Sequence, residues 1–63
     1  MMNKGDKFVF INEFMSRRHG TCLCVGMGLV AYWFIDEHGH EDSFDPAWPG
    51  CEYSILAKGE GDE

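Results

Sequence analysis

The apolar positions of this 63-residue chain fall in five short runs bounded by glycine, proline or charged residues. None of them sustains the 3.6-residue period of an amphipathic helix. Lys7 to Ile11 reads as a first strand, too short and too apolar for a helix of its own. Asn12 to Gly20 reads as a long loop holding at most one or two helical turns, with Asn12 as cap and Gly20 as left-handed stop. Thr21 to Val25 is a second strand, Gly26-Met27-Gly28 a turn, and Leu29 to Ile35 a third strand, the most hydrophobic stretch of all. Asp36-Glu37-His38-Gly39 closes a hairpin onto His40 to Phe44, with Gly39 supplying the positive φ of a tight turn. The prolines in Asp45 to Gly50 remove ladder donors, so this segment is a turn or one turn of 3₁₀ helix. Tyr53 to Ala57 is the last strand. Alternation along the strands points Val9, Ile11, Cys22, Cys24, Val30, Tyr32, Phe34 and Ile55 inward. A one-residue slip of the first strand would bury Phe8 and Phe10 instead.

This order of elements predicts an all-β fold, a small five-stranded SH3-like barrel spanning residues 1–58, with a disordered acidic tail at 59–63. Lys4-Gly5-Asp6-Lys7-Phe8-Val9-Phe10, followed after a loop by His19-Gly20-Thr21-Cys22-Leu23-Cys24-Val25, resembles the opening of KOW and Tudor-type barrels. Trp33-Phe34-Ile35-Asp36 and Phe44-Asp45-Pro46 fit the third and fourth strands of such barrels. The resemblance covers most of the chain at generic positions, so it implies fold rather than function. The ribosomal and transcription-factor members carry a basic face for RNA, whereas the basic cluster here is confined to Arg17-Arg18-His19. A Tudor-type aromatic cage would draw on Tyr32, Trp33, Phe34 and Phe44, residues that also suit a core.

Length limits what such a domain can do. A chain of this size is close to the minimum that folds unaided, and its nine aromatic residues, Phe, Trp and Tyr together, supply the bulk a small core needs. It rarely encloses a deep substrate pocket, which argues against an enzyme.

The charge is split along the chain. Residues 1–20 sum to +2 and residues 21–63 to −8, giving the net −6. No lysine or arginine interrupts the run of acids Asp36, Glu37, Glu41, Asp42, Asp45 and Glu52. Such a face repels nucleic acid and lipid and attracts basic protein surfaces. With Trp48 on a stiff turn between Pro46 and Pro49 as apolar anchor, these six acids form the expected binding face for a larger partner with a basic patch. One version is nucleic-acid mimicry, with carboxylates standing where phosphates would. In size and acidity, though in no motif, the chain resembles inhibitors encoded by phages and mobile elements, including anti-CRISPR and anti-restriction proteins.

Other chemistries are weaker. Cys22, Cys24, His38 and His40 are the candidate zinc ligands, but a single-residue gap on an extended strand sets side chains about 7 Å apart, too wide for one ion. No cofactor is expected. Cys22 and Cys24 on an apolar strand, and Cys51 with no basic neighbour, are packing residues rather than nucleophiles. Direct nucleic-acid binding would rest on Lys4, Lys7, Arg17 and Arg18 alone, set against eleven acids. An odd cysteine count with no secretory leader or apolar span fits the reducing cytoplasm.

Overall fold

The computed structural model describes residues 2–12, 18–26 and 31–59. They form five strands, β1 (Lys7–Phe10), β2 (His19–Val25), β3 (Tyr32–Asp36), β4 (Glu41–Phe44) and β5 (Tyr53–Ala57), and no helix. The strands make one antiparallel sheet in the order β4-β3-β2-β1-β5. The all-β, five-stranded architecture is thus as expected, although the sheet is not closed into a barrel by β4–β5 pairing.

It is nevertheless strongly curled. In a flat sheet β4 and β5 would lie four strand spacings apart, about 19 Å. The rings of Phe44 on β4 and Tyr53 on β5 instead meet with centroids 5.9 Å apart. β4 and β5 run in the same direction, so residues 45–52 must carry the chain back along the seam between them. This return segment is two consecutive turns rather than a 3₁₀ helix. Asp45 accepts Trp48 N–H through its carbonyl (2.9 Å) and Ala47 N–H through its carboxylate (2.8 Å). Cys51 N–H then reaches the Trp48 carbonyl (3.2 Å), with Pro49 and the positive-φ Gly50 (φ 86°) at the central positions, the residue pair a type II turn requires.

The core lies inside the curl. Phe8, Phe10, Cys22, Tyr32, Phe34 and Phe44 from the sheet, with Met2 and Cys51, are buried, and Tyr53 and Ile55 pack against them. Edge-to-face contacts link Phe8 to Phe34 (5.3 Å) and Phe10 to Phe44 (4.8 Å), the geometry that aromatic quadrupoles favour. Gly20 makes room for this cluster, since a Cβ there would stand 2.6 Å from the Phe34 ring.

Two strand faces differ from expectation. On β1 it is Phe8 and Phe10 that are buried, while Val9 is half-buried and Ile11 is 58% exposed. Both alternations of this strand are apolar, and the one that places two phenyl rings in the core buries more surface. On β2 Cys22 is buried but Cys24 is exposed, because the register shifts between them where β2 pairs with β3. A bulge cancels the alternation that would have put both thiols on one face. Val30, the third-strand start at Leu29, the Met27-Gly28 part of the second turn and the helical turns considered for residues 13–17 lie outside the described residues, as do residues 60–63 of the tail. Among the described residues no helix is long and apolar enough to cross a membrane.

Candidate functional site at the acidic end of the sheet

Register sorts the polar residues into two ends. Phe10 pairs with Tyr53, Gly20 with Asp36 and Ile35 with Glu41, so the β3–β4 hairpin, Arg18, Asn12 and Glu52 share one end of the sheet. Asn3 to Asp6, Val25, Tyr32, Phe44 and Gly59 share the other.

Asp36 organises the first end. It closes β3 on the core-facing side, with its side chain 5% exposed. Its Oδ1 accepts the N–H groups of His38 and His40, both at 2.9 Å, and its Oδ2 accepts the Arg18 guanidinium at 2.9 Å. The backbone adds Gly39 N–H to Asp36 O (3.0 Å) and Asp36 N–H to His40 O (2.8 Å), and Gly39 (φ 83°) completes a three-residue hairpin loop. The His40 backbone bond, with the Arg18 and His38 bonds behind it, outweighs burial and holds the Asp36 carboxyl at about 2.

Arg18 spans the mouth of the core. Its guanidinium lies 5.1 Å from the Phe34 ring centroid and also meets Asp42 at 3.2 Å. The two carboxylates, Asp36 first, raise its pKa further. The opposite end has a matching plug. Asp6, fully buried, accepts Asn3 N–H (2.9 Å) and Gly59 N–H (2.7 Å), and these backbone bonds, Gly59 first, lower its pKa. One buried carboxylate thus satisfies the backbone at each open end of the curl.

The six expected acids therefore have different jobs. Asp36 is structural. Asp42 is tied to Arg18, Glu37 accepts His19 N–H (3.2 Å) and lies 3.4 Å from its ring, and Glu52 accepts the Asn12 amide (2.6 Å), a bond that lowers its pKa. Glu41 is exposed on the outward side of the hairpin. Asp45 stands at the other end of β4, where its carboxylate shapes the turn. Trp48, the expected apolar anchor, is 56% exposed on the return segment.

The other candidate sites do not assemble. Arg18 is engaged by acids, Lys4 stands toward the opposite end, Lys7 lies on the outward face in a groove with Glu37, and Arg17 lies outside the described residues. Cys22 and Cys24 face different ways, His38 and His40 sit on the hairpin loop with ring centroids 6.5 Å apart, and no three potential ligands converge among the described residues. Of the cage aromatics, Tyr32, Phe34 and Phe44 are core and only Trp33 is exposed. Sequence reasoning missed Asp6 and the Arg18–Asp36 pair. Their signal is long-range register, which residue spacing does not carry. No known protein family, characterised protein or solved structure matches the chain.

Proposed function

We propose that the chain is a non-catalytic protein-binding module that docks its acidic end on a basic patch of a larger partner. One observation carries this reading: the fold gathers Asp36, Glu37, Glu41, Asp42 and Glu52 at one end, and among the described residues Arg18 is the only lysine or arginine paired with any of them. Several carboxylates at one end of a body whose longest extent is 31 Å make a concentrated field, which speeds encounter with a basic surface. Mimicry of a nucleic-acid backbone, as an inhibitor of phage or mobile-element type would use, is the concrete form of that reading. Burial pushes the Cys22 and Cys51 thiols and the Tyr53 phenol upward, the last to about 12, which disfavours these three as nucleophiles.

The test is retention of partners from a cell lysate on immobilised protein under rising salt. The expected result is a nucleic-acid-handling protein with a basic surface, released as screening increases and not retained by Glu37→Lys/Glu41→Lys. Retention that ignores both salt and the double reversal would refute the acidic docking surface.

A further inference from the structure

All three histidines of the chain lie at the acidic end. His19 opens β2, and His38 and His40 flank Gly39 in the β3–β4 hairpin. The pairing of Gly20 with Asp36 sets the start of β2 beside that hairpin, so His19 Nδ1 stands 3.4 Å from a Glu37 oxygen. His40 Nδ1 stands 3.9 Å from Asp36 Oδ2, and the His38 and His40 rings are 6.5 Å apart. All three residues are exposed. The charges that face them come from four strands and the segment before β2. His19 shares a groove with Lys7 of β1, Glu37 and the apolar Leu56 of β5. The hairpin pair faces Asp36 and through it Arg18, with Asp42 on the same guanidinium and Glu41 beside it on β4. Carboxylates, lysine and arginine ordinarily hold their charge between about pH 5 and pH 8, and histidine is the side chain that changes its own there.

We infer that these three histidines make docking at the acidic end pH-dependent, so that a basic partner is released as the solution acidifies. The inference rests on the docking reading above and adds its regulation. Arg18 offsets one of the five carboxylates gathered at this end, and three protonated histidines offset three more. Little then remains of the field that draws a basic surface. Protonation of His19 also turns its contact with Glu37 into an ion pair, which occupies an acid that a partner would otherwise meet. The hairpin keeps its shape meanwhile. Asp36 holds it through the backbone N–H groups of His38 and His40 rather than through their rings, and its carboxyl, at about 2, stays ionised throughout. The far end, where Asp6 ties down Asn3 and Gly59, carries no histidine. Acidification thus acts on the charge of one end alone.

Decalysine serves as the probe, because its own charge is constant over this range. At about 20 mM ionic strength its dissociation constant for the purified chain should rise about tenfold or more from about pH 8 to about pH 5.5. In His19→Gln/His38→Gln/His40→Gln the same change of pH should move it by less than about twofold, and circular dichroism of wild type should be the same at both. Binding that Glu37→Lys/Glu41→Lys abolishes at the higher pH but that acid leaves unchanged overturns this inference and keeps the acidic end as a docking surface. Binding that the double reversal does not weaken removes both readings. A glutamine variant that loses affinity in acid as wild type does, or a wild-type spectrum that changes with pH, also overturns the inference, since other groups or unfolding would then carry the effect.

Discussion

Asp36 shows how much one side chain does when it ends a strand beside an open core. Its two oxygens receive two hairpin N–H groups and an arginine, so the ionised form is favoured by the fold and has no counterpart in the unfolded chain. The folded carboxyl titrates near 2, below its ordinary value of 3.8. A depressed folded pKa contributes stability that is present above the unfolded value. Asp36 accordingly supports the fold at neutral pH and loses that support as pH falls from about 4 through about 2. Urea unfolding of wild type and Asp36→Asn across pH 2–7 checks this. The variant should have the lower midpoint at pH 7, and the gap should close on the acid side. Two parallel profiles would mean that Asp36 is not what links this hairpin to acid sensitivity.

At the scale of the element, what the sequence shows and what it hides divide along local and non-local physics. The five strands, the Gly39 hairpin and the proline-bounded turn were legible because glycine, proline and short apolar runs act on their own backbone. The face of β1 was not, since Lys7 to Ile11 is apolar in both registers and only the inward space decides for Phe8 and Phe10. The bulge that separates Cys22 from Cys24 depends on how β2 meets β3, information that no local spacing contains. The candidate site divides likewise. Its acids were visible as a run, but their sorting into structural Asp36, paired Asp42 and outward Glu41 follows from register. The bulge has a chemical consequence, because it leaves one thiol in solvent and two in the core, where burial pushes Cys22 and Cys51 upward. Brief iodoacetamide treatment of the native protein, read by peptide mass spectrometry, should label Cys24 and spare the other two until denaturant is added. Equal native labelling of all three would show that β2 is not bulged as described.

The whole molecule joins a small aromatic core to an uneven charge distribution, and the two make opposite demands. The core gains from every ring it encloses, whereas the acids gathered at one end repel one another across a short distance and lower the stability of the compact state. A domain this small has little stability to lose. Retaining an unpaired carboxylate at that end is therefore sensible only if something other than folding uses it. Glu41 is the residue on which the two demands separate, since it is exposed on the outward side of β4 and, unlike Asp36, Glu37, Asp42 and Glu52, has no hydrogen-bond or ion-pair partner among the described residues. Glu41→Lys should raise the melting temperature by about a degree or two at low ionic strength, an advantage that added salt removes. The same substitution should slow association with a basic partner, because it subtracts two units from the field that steers encounter. Thermal melts at low and high salt, set beside association rates for whichever basic protein the immobilised chain retains, measure both effects in one variant. A Glu41→Lys protein that melts lower than wild type would make this acid part of the fold. One that melts higher and binds as fast would leave the acidic end without the role proposed for it.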